Sequence, residues 1–206
     1  MLKINIHYSF LFLILIGLFA GRIVEILIFI LIILLHELSH AITALLLGKK
    51  VKKITITMIG GVVEIKGHYS TFLKEFLINI SGILMNIFLL IIARNIKDMY
   101  YQKLIVDFNR LMILINVLPI YPLDGFRLID DIVYSYYSSY KAMKIINLMS
   151  LIFSFLFLLF GIYEKSGGLI MIAFFLIFKN LGLKFRQETR FIQKEVSYYQ
   201  NKLLTN

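Results

Sequence analysis

Ile26-Leu27-Ile28-Phe29-Ile30-Leu31-Ile32-Ile33-Leu34-Leu35-His36-Glu37-Leu38-Ser39-His40 decides how this chain is read. Its first ten residues are all Ile, Leu or Phe, and apolar character resumes after the polar pentad as far as Leu47. A stretch of this length predicts a helix that crosses a bilayer, which needs about 20 residues. Two histidines and a glutamate at that depth cost on the order of kcal/mol each unless they are paired or coordinated. Counted from Leu47 at a helical rise, His40 lies roughly 10 Å and His36 roughly 16 Å inside the span.

The rest of the chain fits a membrane setting. Of its 206 residues 60% are hydrophobic, where a soluble domain is about half apolar. The apolar runs predict an all-α polytopic membrane protein with about six transmembrane helices: near 8–20, 23–47, 72–93, 104–121, 142–162 and 169–178. The last spans only if it continues through Leu183. Residues 54–65 alternate apolar and polar, are rich in β-branched side chains and centre on Gly60-Gly61. They predict a small membrane-associated β-hairpin after the second span. Residues 126–140 are Tyr-rich, include Asp130 and Asp131, and read as interfacial. The intramembrane domain is expected over 1–183. Over 184–206, Phe185, Ile192, Val196, Tyr199 and Leu203 form one stripe of an amphipathic cytoplasmic tail, read as lying on the membrane or packing on the core, with partner docking as the sharper alternative.

The net charge of +10 suits basic residues flanking spans on the cytoplasmic side. No basic run carries the stacking aromatics of a nucleic-acid groove, so no nucleic acid is expected. With six spans and cytoplasmic termini, only Arg22, Arg94, Lys97, Lys103, Arg110 and Lys165 of the 22 Lys and Arg fall outside. No small-residue cleavage site follows the first apolar run, so no cleaved leader is expected. The absence of cysteine excludes disulfides and Cys-ligated zinc, leaving His and carboxylate as metal ligands.

His36 and His40 are four residues apart, about 40° around a helix, so both can face one metal. Glu37, beside His36, can reach an open coordination position and accept a proton from water there. This is the His-Glu-x-x-His pattern of zinc peptidases. The alternative is a buried polar cluster that glues helices together.

Zinc needs a third protein ligand. His7, His68 and the acidic residues are candidates; His7 also reads as interfacial, and His68 as water-facing. Asp124 stands out, because Pro119 and Pro122 break the preceding helix and Gly125 frees the backbone. The expected topology puts it on the same side as the end of the second span.

These features together resemble the site-2 protease family of intramembrane zinc metalloproteases. The resemblance rests on His36-Glu37-Leu38-Ser39-His40, on Asn116-Val117-Leu118-Pro119 leading to Asp124-Gly125, on the early Lys3-Ile4-Asn5-Ile6-His7, and on Gly60-Gly61-Val62-Val63-Glu64. It is strongest for the family's sporulation branch. It implies one Zn2+ held by His36, His40 and Asp124, and Glu37 as catalytic acid/base. Asn116 would shape the site or bind substrate. Ser81-Gly82 with Asn86 resembles a family segment in the third span, although Ile83 stands where a proline is usual. Asn86, Gly60 and Gly61 are assigned to substrate binding, with residues 54–65 offering a strand edge; a hairpin that merely covers the site is the alternative. Branch members usually carry a C-terminal CBS domain. No such segment lies within residues 1–206, so control through such a domain is not inferred.

The expected function is hydrolysis of a peptide bond in a membrane-associated protein near the cytoplasmic face of a bacterial cell membrane. By resemblance the substrate is a sigma-factor precursor during sporulation, with inhibitory membrane proteins as further partners and the forespore outer membrane as the site. The enzymatic rival is a general site-2 protease clearing anti-sigma factors or signal-peptide remnants. The rival of another class is a non-catalytic membrane scaffold or a metal transporter. A transporter should show ionisable residues along several spans, and a scaffold should lack Glu37.

Overall fold

The computed structural model describes residues 3–6, 14–15, 17–57, 60–66, 71–136 and 139–181, with parts of the strands and of the helix ends described by backbone alone. Among the described residues, three strands, β1 (Lys3–Ile6), β2 (Lys50–Thr57) and β3 (Gly60–Lys66), accompany six helices of 13 residues or more. These are α1 (Ile23–Leu46), α2 (Phe72–Ala93), α3 (Met99–Val117), α4 (Asp124–Tyr136), α5 (Ser139–Tyr163) and α6 (Gly167–Leu181). The chain divides into two compact units, Met1–Gly67 with Leu77–Ile115 and His68–Phe76 with Asn116–Asn206.

In the first unit, α1 inverts the pattern of a soluble helix. Leu27, Leu31, Leu38, Ile42 and Leu45 are exposed, while His36, Glu37, Ser39, His40, Ala41 and Ala44 are buried. Lipid is the solvent for the apolar face, so the polar residues turn inward. Ile32, Ile33 and Met112 form the core with Ile28, Phe29, Leu89, Ile105 and Phe108, joining α1, α2 and α3. At the other end of α3, the Tyr100 hydroxyl donates to Glu25 on α1 at 2.8 Å.

Gly48, with φ +81°, ends α1. The Gly48 N–H bonds the Leu45 carbonyl at 3.0 Å and the Lys49 N–H the Ala44 carbonyl at 2.9 Å. This is a Schellman cap, whose left-handed residue glycine adopts without strain. It turns the chain directly into β2. The sheet order is β1-β2-β3. β1 runs parallel to β2, with Lys3 opposite Lys53 and Ile6 opposite Ile56. β2 runs antiparallel to β3, from Lys50 opposite Lys66 to Thr57 opposite Gly60. β2 and β3 both pack against α1, the helix that carries the motif.

In the second unit, Phe126, Ala142 and Ile146 form the core with Tyr121 and Val133. α3 stops at Val117 because the residue before Pro119 is pushed away from helical geometry. Gly125 lets α4 start close to that end. A Cβ there would stand 2.3 Å from the Val117 carbonyl oxygen and 2.6 Å from that of Leu118.

The expected fold class is corrected in two respects. Among the described residues, three helices are long and apolar enough to cross a membrane, not six: Ile23–Leu46, Phe72–Ala93 and the Lys141–Tyr163 part of α5. α3 begins at Met99 and so takes in Lys103 beside Asp107 and Arg110. α6 has 15 residues, roughly 22 Å of helix against a hydrocarbon layer of about 30 Å. The strands are not a free-standing hairpin, since β1 joins them in a mixed sheet. Asp130 and Asp131 are buried within the protein. The first expected span and the 184–206 tail fall largely or wholly outside the described residues.

Candidate metal centre

One turn of α1 brings the two motif histidines together. Their Nε2 atoms are 3.3 Å apart, and the rings meet edge to face. His40 is tied down at its other nitrogen: Nδ1–H donates to the Ile78 carbonyl on α2 at 2.7 Å. The Ser81 hydroxyl, which donates to the same carbonyl at 2.7 Å, lies 3.3 Å from that nitrogen. A carbonyl only accepts, so the proton is on Nδ1 and Nε2 is the ring nitrogen that carries the lone pair. His36 Nδ1 faces Asn86 Oδ1, again on α2, at 3.3 Å, and the Nδ1–H tautomer fits that oxygen. The Ser39 hydroxyl donates to the His36 carbonyl at 2.6 Å.

Two lone pairs facing each other across 3.3 Å are unfavourable without a cation between them. Two nitrogens bound tetrahedrally to zinc at about 2.05 Å stand about 3.3 Å apart, so the pair has the spacing zinc requires. The space in front of it is kept open by Gly82. A Cβ at that position would lie 2.4 Å from His40 Nε2 and 2.6 Å from His36 Nε2. His36, His40 and Asp124, all buried, form a cluster capable of coordinating a metal ion. Asp124 is the first residue of α4, where the positive end of the helix favours a carboxylate. Glu37 is also buried, at 9% exposure. The donor set, two neutral imidazoles and one carboxylate, is that of a zinc site with room for a further ligand.

Residues 24–102 match peptidase family M50, a segment that includes the histidine pair, Glu37, Gly82 and Asn86. Over that segment the chain is similar to peptidase family M50. It is 33% identical over 134 residues to stage IV sporulation protein FB of Bacillus subtilis, covering 62% of its own length and 46% of that protein. It is 27% identical over 175 residues to a zinc metalloprotease of Methanocaldococcus jannaschii, covering 81% of its own length and 49% of the relative. The chain thus spans about half the length of these curated relatives. Its fold is similar to that of the solved site-2 protease from Methanocaldococcus jannaschii, with a TM-score of 0.64 at 24% identity over 88% of this chain and 90% of the other.

The remaining residues singled out from sequence are dispersed. Asn86 lies against His36, and its Nδ2 is buried with no hydrogen-bond partner. Asn116 sits in the last turn of α3. Gly60 and Gly61 begin β3, opposite Thr57 and Ile56. His7 and His68 lie outside the described residues. The Ile78 carbonyl carries no signal in the sequence. Gly82 carried a faint one, as a small-residue pair with Ser81 inside an apolar span.

Proposed function

We propose that this chain is a site-2-type zinc metalloendopeptidase of the M50 kind acting inside the membrane, with His36, His40 and Asp124 as the ligands and Glu37 as acid/base. The observation that carries this reading is the pair of Nε2 atoms 3.3 Å apart behind the opening left by Gly82. Zinc, when bound, supplies the Lewis acidity that polarises a scissile carbonyl and makes water nucleophilic near neutral pH. The chain supplies the rest. The Ile78 carbonyl and Asn86 hold the imidazoles in the ligand tautomer. Glu37 takes the proton from the attacking water and passes it to the leaving nitrogen. Burial of Glu37 keeps bulk water from competing for that proton.

The substrate proposed is a membrane-associated protein cut near the cytoplasmic face. β3 sits at the end of the sheet, with β2 on one side only among the described residues. Its outer edge suits an extended substrate segment, which narrows the edge to the strand that opens with Gly60 and Gly61. β2 is interior to the sheet. Asn116 is assigned to the substrate, while the contact of Asn86 with His36 favours a positioning role for that residue. The intramembrane domain is assigned to 1–183 and a separate C-terminal tail to 184–206.

The likeness to stage IV sporulation protein FB supports a sigma-factor precursor as substrate and membrane-protein inhibitors as partners. The likeness to a zinc metalloprotease over a longer share of the chain supports the broader reading, a site-2 protease clearing anti-sigma factors or signal-peptide remnants. Co-expression of both substrate classes with the native chain and with Glu37→Gln tests the proposal. Cleavage of one class is expected, with its loss in Glu37→Gln at unchanged zinc content. Cleavage that persists in Glu37→Gln removes the assignment.

A further inference from the structure

The second unit holds a buried polar cluster that the metal centre does not use. Ser150 and Ser154 on α5 are fully buried, and Asn180 on α6 is nearly so. The Ser154 hydroxyl donates to the Ser150 carbonyl at 2.7 Å. The Ser150 hydroxyl donates to Asn180 Oδ1. Asn180 Nδ2 faces the Leu176 carbonyl at 2.8 Å and Ser154 Oγ at 3.1 Å.

A device for joining α5 to α6 would need nothing more. This one reaches further. The backbone N–H of Tyr121 donates to Ser150 Oγ at 2.9 Å, and the Tyr121 carbonyl lies 3.4 Å from Asn180 Nδ2. Tyr121 is in the irregular stretch between α3 and α4, where a backbone N–H has no helical partner. In a membrane protein such backbone persists only where protein satisfies it.

Only Pro122 and Leu123 separate Tyr121 from Asp124, and both neighbouring links are short. The Leu123 N–H bonds the Ile120 carbonyl at 2.8 Å. Gly125 sits against the Val117 and Leu118 carbonyls. Movement at Tyr121 therefore carries the aspartate with it.

We infer that Ser150 and Asn180 are positioning residues for the Asp124 carboxylate, acting through the Tyr121 backbone. The inference rests on the proposed ligand role of Asp124. It assigns a part in metal binding to two helices that contribute no ligand.

The test is zinc affinity of the full chain, measured by chelator competition. Ser150→Thr and Ser150→Val add the same volume and differ by the hydroxyl. Ser150→Thr is expected to bind zinc about tenfold more tightly than Ser150→Val, and Asn180→Leu to lose a similar factor, the low end of the range for groups that orient ligands. Each change is repeated on Asp124→Asn. There the three are expected to bind zinc equally, because the ligand they position is gone. Equal affinity of Ser150→Thr and Ser150→Val in the native background overturns the inference. So does a loss of the same factor on Asp124→Asn, which marks a general packing role. If Asp124→Asn itself keeps native zinc affinity, the ligand assignment fails, and the inference fails with it. Loss of cleavage in Glu37→Gln reports on the protease reading separately.

Discussion

A methyl group at position 82 would occupy the place where two imidazole lone pairs converge. Gly82→Ala forces His36 or His40 off its position, and forced repacking in a close-packed interior costs about 1–3 kcal/mol. Zinc affinity should fall by roughly 5- to 150-fold at unchanged expression, measured by chelator competition; native affinity would show that the histidines do not need that space. Asn86 invites a paired test. Asn86→Asp keeps an acceptor for His36 Nδ1–H and removes the unpartnered amide donor. Asn86→Leu removes the acceptor and should lower zinc affinity by about 10–100-fold, while Asn86→Asp retains it. An equal loss in both would remove the hydrogen bond from the account. The histidine pair was legible in the sequence because a four-residue spacing on a helix is local. The Ile78 carbonyl was not, because a backbone acceptor looks the same at every residue. Ser150 and Asn180 were hidden for a related reason: one polar residue in an apolar span does not say which backbone group it serves.

Among the elements, α1 and α2 lie where unbroken apolarity puts them, and α2 occupies the expected 72–93. α3 does not occupy 104–121. It begins five residues early because Tyr100, Tyr101 and Lys103 tolerate a helix as well as a loop, and it ends early because of Pro119. β1 could not be read from pattern, since four residues have no periodicity until a partner 50 positions away defines a register. The junction of α1 with β2 depends on Gly48. A β-branched side chain there adopts φ +81° only under strain of about 1–3 kcal/mol. Gly48→Val should therefore lower the thermal stability of the zinc-loaded chain, and Gly48→Asn should do so much less; equal midpoints for the two would mean the turn does not need the left-handed conformation. The proposed substrate edge is testable at the same scale. Proline substitutions within β3 should impair cleavage while zinc content is retained, and normal cleavage would sink the edge.

For the whole molecule, hydropathy gave the environment correctly and the number of spans incorrectly. A run of apolar residues fixes where a helix is stable, but a few charges or a few missing residues decide whether it can cross. Zinc bound at His36 and His40 should stabilise the folded chain by mass action, about 2.7 kcal/mol at a hundred times its dissociation constant. Chelation should lower the unfolding midpoint and zinc should restore it. The double variant His36→Ala with His40→Ala should show neither response. A midpoint indifferent to chelator in the native chain would contradict a folded-state zinc site.

The parallel pairing of β1 with β2 has a consequence for biosynthesis. Lys3 pairs with Lys53, so β1 leaves the ribosome 50 residues ahead of its partner. At about 5–20 residues per second the delay is roughly 2.5–10 s. During that time α1 can insert, and the early strand has no mate of its own. Its brevity, four residues beginning with Lys3, makes it a poor template for pairing with other chains. Sheet completion is thereby postponed until the helix bearing the histidines has been made.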